Sequence, residues 1–337
     1  MIKTVVMPIL FALFIQTSAC SNEHPPEQPA ATGTRSTKNY LTFLPAETNL
    51  VFYANLDEIR QTPIGAALSA EFDATHADEE EDYLDFVAGT GLDIKEDVYE
   101  IWLGLIAGEG DESAGGAIIK GKFDEDRIVN YMKNEHKGEV EETSYRGHKI
   151  YMIEEREKQV TFLDAHTVMV GDKIWMQAVL DQSANQEKNV LDNPIMSELM
   201  AGISDGNQMW GAFNMNELSD KWAGDVRKNS PFKGTESIEN MKSFVFYSHF
   251  GDKADVFLKG NFATADEAKT LAEMLIGFKA MAKLMISNDR DAIDMLNDIE
   301  IGTDGTTLEI STSIDKEFVQ KFKEKRKTFS GGPVKLL

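Results

Sequence analysis

The chain has 337 residues, of which 34 are Lys or Arg and 57 are Asp or Glu, so its formal net charge is −23. A surface this acidic repels nucleic acid and anionic lipid headgroups, which argues against a nucleic-acid partner. With 42% hydrophobic residues the chain can build a substantial core, and its length exceeds that of one ordinary domain.

The first nineteen residues have the layout of a secretory signal peptide. Lys3 supplies a positive charge, residues 5–15 are apolar, and Thr17, Ser18 and Ala19 are small. The apolar run is shorter than the roughly 20 residues that a membrane-spanning helix needs. Residues 1–19 are therefore predicted to be a signal peptide that is removed from the mature protein.

Cys20 is the only cysteine of the chain and directly follows these small residues. The segment Thr-Ser-Ala-Cys resembles the lipobox of bacterial lipoproteins, although Thr17 stands where that family usually has Leu. The resemblance implies that Cys20 becomes the first mature residue and carries the lipid. It also implies attachment to the cell envelope, and Ser21 favours the outer membrane, facing the periplasm. The alternative is an ordinary signal peptide cut nearby, which would leave Cys20 as a free thiol.

Residues 20–39 are predicted to form a disordered tether. They contain Pro25, Pro26 and Pro29 and no large aliphatic side chain, so they cannot bury enough apolar surface to fold. As a coil of this length the segment would span on the order of 25 Å from end to end.

Two pairs of segments recur in the same order along the rest of the chain. LVFYANLDEI, which begins at Leu50, is similar to MWGAFNMNEL, which begins at Met209. AIIKGKF, which begins at Ala117, is similar to VFLKGNF, which begins at Val256. The repeated order predicts a duplication of a unit of about 150 residues.

The expected fold class is α+β, with one unit over residues 40–190 and a related unit over 191–337. Each unit is expected to be an antiparallel sheet with helices packed on one face, because hairpins and helices are interspersed. Period-2 patterns and turn residues predict strands at 50–55, 100–107, 116–123, 148–154, 159–163, 167–170, 244–250, 254–261, 299–302 and 307–311. Period-3.6 patterns predict helices at 78–88, 124–133, 264–286 and 315–325.

The segments LPAETNLVFYANLDEI and TGLDIKEDVYEI resemble the opening phrases of many uncharacterised bacterial secreted proteins and lipoproteins. The resemblance covers most of the first half. It implies an extracytoplasmic α+β protein and supplies no catalytic residue.

Two short motifs with catalytic associations are interpreted as coincidences. Residues 116–122 fit the phosphate-loop pattern G-x-x-x-x-G-K, but Phe123 stands where the magnesium-binding Ser or Thr belongs, and the interior is strand-like. Ser230 and Lys233 fit S-x-x-K, but the S-D-N and K-T-G elements of penicillin-binding enzymes are absent from the sequence.

The sequence predicts neither a metal nor another cofactor. No two of the six histidines are three or four residues apart, the spacing that places two ligands on one helix face. His148 and His166 would meet only across the predicted meander. The acidic run 78–82 lacks the alternating ligands and the glycine of a calcium loop.

The segment 264–286 is the most unusual predicted helix, because its apolar face is wide and rich in methionine. Packing against the sheet is one interpretation of this face. The other is a binding surface for an apolar ligand or an envelope partner, since methionine side chains adapt to varied shapes. The candidate binding residues are Met274, Phe278, Met281 and Met285.

Three functions remain open at this point. The first is a non-enzymatic envelope lipoprotein that acts as a binding or structural module. The second is a carrier or sensor of an apolar ligand that uses the methionine-rich helix. An extracytoplasmic hydrolase ranks last, because the sequence shows no set of nucleophile and base.

Overall fold

The structure is a computed structural model that describes residues 40–75, 80–107, 113–136, 140–153, 158–185, 188–203, 205–217, 240–286 and 289–320. The signal peptide, Cys20, the tether and the S-x-x-K motif lie outside the described residues. The predictions made for them stay predictions.

The described strands form one twelve-stranded antiparallel sheet. Its order from one edge to the other is β11-β12-β10-β9-β8-β1-β2-β3-β7-β6-β5-β4. The strands are β1 (Thr48–Asn55), β2 (Val98–Ile106), β3 (Ala114–Gly121), β4 (Val140–Tyr145), β5 (His148–Ile153), β6 (Lys158–Asp164), β7 (Thr167–Asp172), β8 (Met209–Asn214), β9 (Met241–Phe250), β10 (Lys253–Phe262), β11 (Glu300–Asp304) and β12 (Thr307–Asp315).

The α-helices of the described ranges connect these strands or follow them. They are α1 (Leu56–Arg60), α2 (Pro63–Thr75), α3 (Glu80–Thr90), α4 (Ile94–Asp97), α5 (Glu125–Glu135), α6 (Lys173–Asn185), α7 (Pro194–Ala201), α8 (Ala265–Met285) and α9 (Arg290–Asp298). Residues 316–320, at the end of the described chain, are also helical. Short 3₁₀ turns precede β1 and α7 and follow β8. The α+β class is confirmed as a mixture of helices with a large antiparallel sheet.

The two predicted sheets are one sheet, because β1 pairs with β8. Phe52 lies opposite Gly211 in the middle of this pair, and Leu50 lies opposite Phe213. Strand β1 also pairs with β2, and β8 with β9, so neither central strand is a sheet edge. The prediction of two separate sheets is therefore corrected to two halves of one continuous sheet.

One face of the sheet, named face A, is defined by Tyr53 and its cross-strand neighbours. Directly opposed residues share a face, and a row of aromatic side chains crosses five strands here: Trp102, Tyr53, Trp210, Tyr247 and Phe257. Helices α6 and α7 cover the central strands through fully or nearly fully buried side chains. These are Trp175, Met176, Val179 and Leu180 of α6 and Met196 and Leu199 of α7.

The opposite face, named face B, carries other helices. Phe52 lies opposite Leu103 on β2, and this row continues through Phe246 and Leu258 to Ile310. Helix α8 packs against Ile310 and Leu308, and α5 packs on the outer strands β4 to β6.

Helices therefore lie on both faces, and the prediction of helices on one face is wrong. The physical reason is that β1 is apolar on both sides. Val51 and Tyr53 point to face A, Phe52 and Ala54 point to face B, and all four are buried. A strand of this kind needs cover on both faces.

The predicted strands and helices of the described residues are confirmed, with shifts of a few residues at their ends. Sequence patterns missed the strands β4 and β8 and the helices α1, α2, α4, α6, α7 and α9. Four of the six residues of β4 are exposed, as suits an edge strand, so it lacks an alternating apolar pattern. No helix in the described ranges is long and apolar enough to cross a membrane.

Candidate functional site

Helix α8 begins with a complete capping box. The Thr264 hydroxyl accepts a hydrogen bond from the Glu267 backbone N–H at 3.3 Å, and the Glu267 carboxylate accepts one from the Thr264 N–H at 3.0 Å. This reciprocal pair satisfies N–H groups that the first turn leaves without helical partners. The box fixes where the helix starts and therefore which of its residues face the sheet.

The inner half of α8 packs into the core. Its buried side chains are Ala268, Leu271 and Ala272, which contact Phe262 and Leu308 on face B. Leu271 is only 3% exposed. For this half of the helix, the interpretation of the apolar face as core is correct.

The outer half of α8 contains no buried side chain. Met274 and Phe278 are half-buried, Met281 is 51% exposed and Met285 is 82% exposed. These four residues, named the α8 stripe, follow each other at intervals of four, three and four residues. That spacing places them on one side of the helix in a continuous apolar line. The structure thus places all four predicted binding residues on one side of the helix, where Met274 packs against the core cluster of Phe262 and Leu308.

Helix α9 lies on another side of the outer half. The Lys279 ammonium donates hydrogen bonds to the carbonyl oxygens of Asn297, at 3.3 Å, and of Ile299. Lys283 donates to the side-chain oxygen of Asn297. Both lysines therefore hold the end of α9, where the orphan carbonyls and the negative end of the helix dipole favour a cation. Lys279 and Lys283 lie on a side of the helix different from that of the α8 stripe.

The outer half of α8 is also free of acidic residues. No Asp or Glu occurs between Glu273 and Asp289, although the chain has 57 acidic residues in 337. Its two lysines are engaged with α9, as described above. The α8 stripe is therefore a nearly neutral, apolar surface in a strongly acidic protein.

A second surface lies on face A beyond the cover of α7. The rings of Tyr247 and Phe257 stack there with centroids 5.1 Å apart. They line an open depression of about 440 Å³. Lys259 and Glu309, which form an ion pair at 2.8 Å, line the same depression together with Glu300 and Ser311. In the sequence, this surface is indicated by the alternation of apolar and charged residues along β10. Paired charges across strands are typical of the solvated face of an antiparallel sheet, so this surface ranks below the α8 stripe.

The residues that fit the phosphate-loop pattern lie on β3 and the turn after it. A side chain at Gly116 would meet the Trp175 ring 2.3 Å away, so this backbone is packed against the core and cannot wrap a phosphate. The Lys122 ammonium is 3.5 Å from the Asp97 carboxylate. The interpretation of this motif as a strand is confirmed.

His148 and His166, which were considered above as neighbours across the meander, make different contacts. The Nδ1 atom of His166 lies 3.0 Å from the Gly121 carbonyl oxygen, and His148 begins β5 opposite Tyr145. Within the described ranges no three His, Cys, Asp or Glu side chains are grouped so that they could hold a metal ion.

The perturbed pKa values found in the described part of the chain are shifted away from neutral pH. Burial raises the pKa of the Tyr53 hydroxyl above its usual range. Burial, with the hydrogen bond to Asp93, does the same to the pKa of Tyr83. The hydrogen bond from Arg146 lowers the pKa of Asp181. Each of these shifts moves away from pH 7, whereas general acids and bases are tuned towards it.

Comparisons with known proteins do not assign a family. No protein-family model and no curated protein matches the chain. Among solved structures, crystal form I of TP0453 is similar to the chain with a TM-score of 0.44 and 12% sequence identity. The match covers 86% of this chain and 99% of that one. A similarity at this level carries no argument about function.

Proposed function

We propose that this protein is a non-enzymatic, lipid-anchored module of the cell envelope that binds a partner protein through the α8 stripe. The observation that carries the proposal is the exposure of Met281 and Met285 at the end of an apolar line that starts in the core. Each Å² of apolar surface left in water forgoes about 25 cal/mol of stabilisation. Contiguous exposed apolar surface is therefore typical of an interaction site.

The shape of the stripe favours a helical partner over a small apolar ligand. Small-molecule sites are concave, whereas Met281 and Met285 are exposed on the outer surface of a helix. The four-three-four spacing of the stripe is that of the a and d positions of a coiled coil, which another helix contacts with its own side chains. The carrier of an apolar ligand therefore ranks second. The hydrolase stays last, because the sequence shows no set of nucleophile and base.

The anchor is the second part of the proposal. Lipid on Cys20 would hold the protein at the envelope membrane, and residues 20–39 would let the folded part move on the order of 25 Å from it. Confinement beside a membrane raises the effective concentration of any partner anchored there, so a weak docking surface suffices.

Replacing Cys20 with alanine should release the protein from the membrane. Each buried methylene of an acyl chain contributes about 0.8 kcal/mol, so loss of the lipid removes the whole anchoring energy. Fractionation of cells should find wild type in the detergent-soluble membrane fraction and Cys20→Ala in the soluble periplasmic fraction. A Ser21→Ala variant serves as control and should stay in the membrane. Retention of Cys20→Ala in the membrane would reject the anchor.

The duplication is the third part of the proposal, with related units over 40–190 and 191–337. The pairing of β1 with β8 supports it. Matching Asn55 to Asn214, as the sequences suggest, makes Phe52 the equivalent of Gly211, and these two residues face each other at the centre of the sheet. A two-fold rotation through this central residue pair then exchanges the residue pairs on either side of it. This symmetry is expected where a duplicated unit pairs with its copy.

Further features agree with two related units. The side chains of Asn55 and Asn214 each accept a hydrogen bond from a backbone N–H two or three residues ahead. Gly121 and Gly260 lie on β3 and β10, each the third strand from the central junction. A helix on face B follows each of these strands. Superposition of the two units in an experimental structure checks the proposal, and different orders of strands and helices would overturn it.

Exchange of Met281 and Met285 for glutamine should abolish partner binding without unfolding the protein. Glutamine has a similar length and helix propensity but a polar end, and loss of two apolar contacts should weaken binding by at least about tenfold. The assay is chemical crosslinking in intact envelopes followed by purification of the tagged protein. The matched control replaces two exposed isoleucines outside α8, Ile174 and Ile195. Equal partner crosslinking by both double variants would reject the stripe as the binding surface.

A further inference from the structure

We propose that residues 321–337 of this chain, named the basic segment, dock on face A of the outer strands β10 to β12. The basic segment follows the last described residue and contains six Lys or Arg residues and one Glu. It stands out in a chain with a net charge of −23, and blocks of like charge are typical of interaction segments. The inference goes beyond the proposed function, because α8 packs on face B and the α8 stripe takes no part in it.

The outer part of face A is open and acidic. Helix α8 packs on the other face of these strands through Leu308, whereas on face A the side chain of Phe257 is 37% exposed. The strand register places four carboxylates and one ammonium group on face A of β10 to β12: Asp255, Glu300, Asp304, Glu309 and Lys259. Face A of the outer strands therefore presents an excess of negative charge to a basic segment.

Three of these four carboxylates have no ion pair with a described Lys or Arg. Glu309 is the exception, since it pairs with Lys259 at 2.8 Å. Asp255 accepts a hydrogen bond from the Ser313 hydroxyl, and Glu300 accepts one from Ser311 at 3.4 Å. Like charges on neighbouring strands destabilise a sheet. Cations brought to this face would therefore relieve repulsion as well as form new ion pairs.

The open depression on face A suits the side chains of the basic segment. It is lined by the stacked rings of Tyr247 and Phe257 and by the carboxylates of Glu300 and Glu309. An aromatic ring beside a carboxylate binds the head group of a Lys or Arg side chain, which the ring attracts through its face. Five of the residues 321–327 are Lys or Arg. The segment thus matches the depression in both charge and chemistry.

The position of the last described helical residues places the basic segment within reach of this face. Val319 is buried and packs with Phe250 and Ala254, so the described chain ends beside the residue that precedes Asp255 on β10. From there the segment would pass round the end of β10, and its residues could span up to about 55 Å when extended. Exposed ion pairs are individually weak. Tethering within one chain gives the segment the high effective concentration at which several such pairs suffice.

Thiol crosslinking within the full chain tests the proposal. The chain carries Cys20→Ala, which removes its only natural thiol, and a new pair of cysteines at Thr328 and Ser311. A short bismaleimide should join the two, and mass spectrometry of the digested monomer measures the yield. The control pair combines Thr328→Cys with Ala66→Cys. Ala66 is exposed on α2, whose Ile64 packs with Val319, so a segment without a preferred surface would reach it as readily. We expect at least about tenfold more crosslink to Ser311→Cys.

Charge variants of the same chain test the cause of docking. Glu300→Gln with Asp304→Asn removes two carboxylates without an ion pair and should lower the crosslink to Ser311→Cys about fivefold. The matched control is Glu273→Gln with Asp294→Asn, which removes two exposed carboxylates on α8 and α9 and should leave the yield unchanged. Raising the salt concentration to about 1 M shortens the Debye length to about 3 Å and should also lower the yield.

Each outcome decides the proposal. A preferred crosslink to Ser311→Cys that falls when Glu300 and Asp304 are neutralised supports it. Equal yields for Ser311→Cys and Ala66→Cys, or no crosslink from either, overturn it. A preferred crosslink that does not respond to the two carboxylates or to salt overturns the electrostatic docking. If the crosslink joins two molecules, the basic segment of another copy occupies this face, and docking within one chain is rejected.

Discussion

Replacing Leu271 with glutamine should lower the free energy of unfolding by about 3–5 kcal/mol, whereas the same change at Met285 should alter it by less than about 0.5 kcal/mol. Leu271 is 3% exposed and packs against Phe262 and Leu308, so glutamine would bury an amide among apolar side chains. Met285 is 82% exposed and would lose almost no packing. Leu, Met and Gln have similar helix propensities, so the difference reports burial alone.

Chemical denaturation of the two variants measures this difference through the midpoint of unfolding, with the slope m expected to stay unchanged. The pair also serves as the folding control for the binding experiments, which require that the outer half of α8 tolerates polar residues. Equal destabilisation by Leu271→Gln and Met285→Gln would mean that the outer half packs within the folded chain. The α8 stripe would then be core, and the binding proposal would lose its surface.

Gly116→Ala should destabilise the protein by about 3 kcal/mol or prevent folding altogether. The added methyl group would lie 2.3 Å from the Trp175 ring and 2.6 Å from the Val170 carbonyl oxygen. Trp175 is fully buried and also covers Gly171, where a methyl group would lie 2.7 Å from the ring. Backbone on one side and a confined indole on the other leave no space for even one methyl group.

Thermal unfolding measures this effect, and two companion variants define its cause. Combining Gly116→Ala with Trp175→Leu should cost less than the sum of the single changes, because the smaller side chain leaves room for the methyl group. Lys122→Ala should change stability by less than about 1 kcal/mol, since its ion pair with Asp97 is exposed. Stabilisation of wild type by Mg²⁺ and ATP, lost in Lys122→Ala, would contradict the interpretation of residues 116–122 as a strand.

The proposed anchor and the proposed binding role of the α8 stripe would together confine association to the plane of the membrane. A permanent lipid anchor would make weak contacts effective, because both partners would share one membrane. A short, reversible contact along the stripe would then suffice for binding. The strongly acidic remainder of the surface would limit other associations, since like charges oppose contact wherever they are close and unscreened.

Local sequence information was enough for most strands and helices. The run from Leu50 to Asn55 is rich in β-branched and aromatic residues and ends in an asparagine that caps α1, so its strand character is local. Thr264 and Glu267 mark the start of α8 for the same reason. Helices α6 and α7 were missed because their stability comes from burial of Trp175 and Met196 against distant strands, which periodicity within the helix does not report.

The sequence by itself determined the acidic character of the protein, the residue types of the predicted anchor segment, the α+β class and the apolar periodicity of α8. These properties depend on composition and on neighbours a few residues apart. Only the tertiary structure decided that β1 pairs with β8 in a single sheet and that helices cover both faces. It also decided that the sheet covers Leu271 and leaves Met285 exposed. Both residues fit the same helical pattern, and they differ only because contacts with strands distant in the chain bury one half of the helix and not the other.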